Sequence, residues 1–168
     1  MRRLWVAIFL MLYTATFGLN CAGTRTDEGD AFGKFDYVEE IGVATDFDTA
    51  DKTRRILSRL NFILVREERS VNEFYFETQW KDRHPFEDER EAGVVAARTR
   101  IIIRTRPKTA TGFGGAKLNR IRLFAENEVQ YASSHEWQRA AITPMLKEYL
   151  DDIVERIKIE FRSGMRKF

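Results

Sequence analysis

Two histidines, three prolines and a single cysteine in 168 residues leave little material for most kinds of chemistry. One cysteine cannot close an internal disulfide, so a folded domain built from this chain must be held by its core alone. His84 and His135 lie far apart in sequence, and neither sits in a metal-ligand spacing or beside a readable nucleophile. Charge of one sign is scarce as well: 28 basic side chains face 26 acidic ones, and Arg2 and Arg3 belong to a first stretch of 20 residues that holds no acid. The remainder balances at 26 to 26, which removes any global electrostatic reason to bind nucleic acid. Long apolar runs are limited to Leu4 to Tyr13, well short of the roughly 20 residues that a membrane-crossing helix needs.

That run has two arginines before it and small or polar residues after it, the layout of a signal peptide over residues 1–20; read generously as Leu4 to Leu19, the alternative is an uncleaved anchor. Gly18, Leu19 and Asn20, directly before Cys21, resemble a bacterial lipobox, where a diacylglycerol is attached to the thiol and the chain is cut just ahead of it. The family pattern places Leu three residues before the cysteine and Gly or Ala directly before it, so this segment departs from it at both positions. The resemblance implies a lipidated Cys21, and Ala22 after it, in place of an Asp, implies sorting to the outer membrane on its periplasmic side. The physical use of acylation is retention, since each buried methylene contributes about 0.8 kcal/mol and several chains together hold where one does not. Residues 21–34, small, polar and glycine-containing, suit a flexible tether.

The rest, residues 35–168, is long enough for one domain with a proper core. Residues 34–47 are ambiguous and leave room for a short strand around Tyr37 to Val43; a helix follows over residues 49–60, capped by Asp48 or Thr49 and stopped at Asn61. Residues 62–70 and 73–83 alternate as a hairpin, with Phe74, Phe76, Thr78 and Trp80 on one face. Residues 94–106 and 118–132 read as two further strands. A final helix begins at Thr143 and Pro144 and presents Leu146, Tyr149, Leu150, Ile153, Ile157 and Phe161 as one stripe. These elements predict an α+β domain in which a short N-terminal helix and a long C-terminal helix cover one face of an antiparallel sheet of about four strands.

The most suggestive feature is the row Arg98, Arg100, Arg104 and Arg106, placed on the wet side of its strand. Guanidinium forks bind oxyanions and acidic partners; equally, Glu77, Glu126 and Glu128 on the neighbouring strands can neutralise the row as cross-strand pairs. His84 stands among Asp82, Glu87, Asp88 and Glu89 in a segment read as a solvated loop, with too few converging ligands for a metal. "TGFGGAK" (111–117) joins two strands and lacks the GxxxxGK[ST] arrangement of a phosphate loop. Trp80 and Trp137 are expected to pack on the core or its rim.

The order of helix 49–60, the hairpin ending "FETQW", the arginine strand, "IRLFAENEVQY" and "TPMLKEYLDDIVERI" resembles helix-grip-like domains of bacterial envelope lipoproteins. Such domains include lipoprotein subunits of the outer-membrane β-barrel assembly machine. The resemblance implies an anchored, non-enzymatic subunit that takes no cofactor, docks another envelope protein and uses the four arginines for recognition. A second possibility is a carrier holding a lipid or other apolar ligand between sheet and C-terminal helix, in a cavity lined by residues such as Phe76, Ile101, Leu123 and Ile153.

Overall fold

The computed structural model describes residues 35–71, 73–108 and 117–162. The leader, Cys21 and the tether lie outside them, as do residues 111–116 of the glycine-bearing loop. In chain order the elements are β1 (Tyr37–Thr45), α1 (Asp46–Arg59), β2 (Leu64–Arg69), β3 (Phe74–Thr78), β4 (Lys81–Arg83), α2 (Glu87–Glu91), β5 (Val94–Pro107), β6 (Leu118–Tyr131), β7 (Gln138–Arg139) and α3 (Pro144–Arg162).

The two segments with the strictest alternation form the spine. β5 and β6 pair antiparallel along their whole lengths, with Ile101 opposite Ala125 and Ile103 opposite Leu123. β3 and then β4 line the free side of β5, while β1 and then β7 line that of β6; β2 completes the sheet beyond β3. All these pairings are antiparallel.

Among the described residues, this seven-stranded sheet with three helices corrects the expected four strands under two helices, and the helix-grip-like description is set aside with it. Three strands account for the difference. β1 arises from a segment with weak alternation and is bent by a bulge at Gly42, whose φ of 148° suits a residue without a Cβ. β4 is split from β3 by a break at Gln79 and Trp80, and β7 has two residues, too few for a periodic signal.

The helices cover one side, the inner face. Phe76 of β3, Ile101 and Ile103 of β5, and Ile121 and Leu123 of β6 point to it and have no accessible surface. They pack with Ile56 and Leu57 of α1 and with Leu146, Leu150, Ile153 and Ile157 of α3 in one apolar cluster. Helix α1 starts one turn earlier than its sequence suggests, because Thr45 accepts the Asp48 amide at 3.2 Å. It stops at Asn61, whose φ of 57° lets the Asn61 and Phe62 amides fold back onto the Ser58 and Leu57 carbonyls at 3.0 and 2.9 Å.

Helix α3 is held at both ends by other parts of the chain. At its start, Thr143 accepts from the Leu146 amide and Asp88 accepts from the Met145 amide at 3.0 Å. At its end, buried Lys52 of α1 donates to the Phe161 carbonyl at 3.1 Å, where a cation complements the negative pole of the helix.

Further along the inner face lies a polar patch. Arg83 of β4 makes a two-pronged ion pair with Glu89 of α2, both contacts at 2.6 Å, and also donates to Asn127 of β6 and Thr99 of β5. Glu89 is 2% exposed. The segment read as a solvated loop therefore contributes a buried pair, and its short helix docks on the sheet.

Candidate functional site

The three helices share the inner face, so among the described residues the opposite face of the sheet carries no helix. On β5 and β6 the alternation that buries Thr99, Ile101, Ile103 and Thr105 sends Arg98, Arg100, Arg104 and Arg106 outward. The structure brings the four arginines to this one outer face.

Their surroundings differ along the strand. Arg98 faces Glu128 in register and binds it through Nε at 2.8 Å. Arg100 faces Glu126, which accepts from its Nε at 2.5 Å, while Glu77 of β3 accepts from its Nη1 at the same distance. Arg104 holds Glu73 through Nε at 2.8 Å, and Arg106 is exposed. Cross-strand pairing of this kind is worth roughly 0.2–1 kcal/mol per pair; its larger effect here is to hold long side chains in fixed positions.

Two tryptophans add to that order, and their sequence gives a misleading signal. Trp80 follows Phe74, Phe76 and Thr78 at even spacing, which predicts the inner face. The break between β3 and β4 reverses the alternation: Lys81 turns inward to the Leu60 carbonyl, at 2.8 Å, and Trp80 turns outward. Arg98 lies between two indoles, 4.9 Å from the Trp80 ring and 4.1 Å from that of Trp137 in the segment before β7. Arg100 stands over Trp80 as well, at 4.8 Å. Each contact pairs a cation with the negative face of a ring. Both tryptophans thus stack on the arginine row in place of the core.

In the middle of the outer face, Ile102 and Phe124 are directly opposite and almost fully buried beneath the neighbouring polar side chains. Phe35 leans on Phe124 at 4.7 Å between ring centroids. Tyr75 of β3 donates to Glu77 at 2.8 Å. Burial, followed by that hydrogen bond to a carboxylate, pushes its phenol up to about 12.

The remaining sequence candidates do not converge. His84 and His135 are exposed in separate segments. Among the described residues, no group of three or more His, Cys, Asp or Glu side chains is placed to hold a metal ion, and no helix is long and apolar enough to cross a membrane. A chamber for an apolar ligand would leave free surface on its walls, yet Phe76, Ile101 and Leu123 have none. Ile153 borders a cleft of about 230 Å³ at the surface, shared with charged side chains such as Lys81, Asp152 and Arg156. Desolvation in that region holds the Lys81 amine below its ordinary range.

Comparison with known proteins adds little. No protein-family model matches the chain, and no curated protein matches it. Among solved structures, the chain is similar to the uncharacterized conserved protein YugN from Geobacillus kaustophilus HTA426, at 9% identity over 80% of this chain and 94% of that one. The TM-score of 0.36 is too low for that likeness to carry an argument.

Proposed function

We propose that this chain is a lipid-anchored, non-enzymatic interaction module on the periplasmic side of a bacterial outer membrane. Cys21 carries the lipid, residues 22–34 form the tether, and the outer face of the sheet docks another envelope protein. The observation that carries the docking reading is the segregation of the fold: the three helices among the described residues pack on the inner face, and the face that no described helix covers holds arginines already ordered by acids and indoles. A surface of fixed side chains loses little conformational entropy when it binds. Charged groups arranged in this way contribute mainly to partner choice and on-rate. The anchor contributes through effective concentration, because a tethered domain meets membrane partners far more often than a free one.

Site-directed photo-cross-linking in intact cells tests this reading. Val38 and Arg66 lie on or beside the outer face, whereas Arg55 and Arg156 are exposed on the helical side. A photoreactive residue at Val38 or Arg66 is expected to capture a discrete envelope protein, and Cys21→Ser is expected to weaken that capture. Capture from Arg55 or Arg156 with none from the outer face would overturn the docking assignment.

A further inference from the structure

On the helical side of the sheet, one amine stands in a setting that changes its chemistry. The break after β3 turns Lys81 inward, and its Nζ reaches the end of α1, where it donates to the Leu60 carbonyl at 2.8 Å and lies 4.5 Å from the centroid of the Phe62 ring. Leu60, Phe62 and Lys81 all border the cleft of about 230 Å³, which α3 lines with Tyr149, Asp152, Ile153 and Arg156.

The other ionic groups of this cleft are engaged with acids or bases of their own. Asp152 pairs with Nε of Arg156 at 2.9 Å, and Arg59 is held through Nη1 by Glu160 at 2.7 Å. Among the described residues no carboxylate lies within ion-pair distance of Lys81, and desolvation lowers its amine from the ordinary lysine range. A lysine that loses hydration without gaining an acid reaches its neutral, nucleophilic form more readily. That form has two N–H groups and a lone pair. One N–H suffices for the Leu60 carbonyl, so the lone pair remains for a molecule in the cleft. Arg59 and Arg156 are each held through a single nitrogen and are more than half exposed, which leaves N–H donors on both for an oxyanion at the rim.

We propose that this cleft captures a small carbonyl compound bearing a carboxylate, a 2-oxo acid or an aldehyde acid, by reversible imine formation at Lys81 Nζ, with Arg59 and Arg156 receiving the carboxylate. The lone pair of Nζ attacks the carbonyl carbon, and the C–N bond forms as the carbonyl π pair moves to oxygen. One amine proton passes to that oxygen to give a carbinolamine; the second follows as the C–O bond breaks, and water leaves the imine. No oxidant or reductant is consumed, and hydrolysis returns both partners, so the result is capture without turnover. The cleft is smaller than the roughly 300–1,000 Å³ of sites for drug-sized ligands, which suits a compound of a few carbons. This inference goes beyond the docking reading and is independent of it, because the cleft lies on the helical side.

The test incubates the full chain, in neutral-detergent micelles near neutral pH, with glyoxylate or with acetaldehyde. Cyanoborohydride is present to reduce any imine to a stable secondary amine, and peptide mass mapping follows the adduct at each lysine. With glyoxylate, Lys81 is expected to be labelled about tenfold or more faster than the exposed Lys108 and Lys147, as a neutral amine beside a positioned carbonyl implies. Its lead is expected to shrink with acetaldehyde, which has no carboxylate, and to vanish when the chain is unfolded in urea. Arg59→Gln leaves Glu160 its second partner, Arg55, at 3.0 Å. That variant is expected to label severalfold more slowly at Lys81 with glyoxylate and at the wild-type rate with acetaldehyde.

Labelling of Lys81 no faster than that of Lys108 and Lys147, or a lead that persists in urea, would overturn the capture site. An equal lead with both aldehydes, or glyoxylate labelling unchanged in Arg59→Gln, would overturn the assignment of the carboxylate to the arginines. Each of these failures would leave outer-face cross-linking, and the docking reading it tests, unaffected.

Discussion

At the scale of single residues, the pair Arg83–Glu89 shows how far a side chain's neighbours can lie from what its local sequence suggests. "KDRHPFEDEREAG" is rich in charge and reads as solvated loop. Nothing in that string says that Glu89 is buried or that its partner Arg83 is also held by Thr99 and Asn127, which come from the later strands β5 and β6. Removing one member of a buried pair leaves the other without compensation, a loss of roughly 3–5 kcal/mol. Arg83→Ala is therefore expected to lower stability by about that amount in urea unfolding, with most of the loss recovered by Arg83→Met combined with Glu89→Leu. A loss under about 1 kcal/mol in the single variant would show that solvent reaches Glu89.

At the scale of elements, the legible parts were those with a period long enough to count. Residues 94–106 alternate over more than ten positions, so the division of Thr99, Ile101, Ile103 and Thr105 from the arginines could be read directly, and residues 118–132 behave likewise. Residues 73–83 misled because the alternation continues on paper through a break in the backbone, which reversed Trp80 and Lys81. The stop of α1 was readable from Asn61, a residue that tolerates the left-handed region. That reading carries an expectation: Asn61→Val costs about 1–2 kcal/mol in thermal or urea unfolding, whereas Asn61→Gly is tolerated. Equal stability of the two variants would mean that the turn relaxes without cost. The cap of the same helix lay outside the sequence reading, because Asp46 and Phe47 give no apolar repeat to mark the first turn.

At the scale of the whole molecule, the α+β composition and the antiparallel sheet were legible, but the number of strands was not. Strand count depends on short edge pairings such as β4 on β5 and β7 on β6, which are set by what the spine leaves unpaired. The candidate site was half legible. The four arginines were visible as a row, and so were the neighbouring acids Glu77, Glu126 and Glu128, yet the register that sets Arg98 opposite Glu128 and Arg100 opposite Glu126 exists only once β6 lies beside β5. The tryptophan stack on Arg98 likewise needs residues 80, 98 and 137 brought together by the fold. The proposed attachment of this domain to a membrane through one sulfur atom is tested most directly by the intact mass of the protein extracted from cell membranes. The predicted result is a chain beginning at Cys21 with the added mass of its acyl groups; a chain retaining Met1, or one processed with Cys21 unmodified, would contradict it.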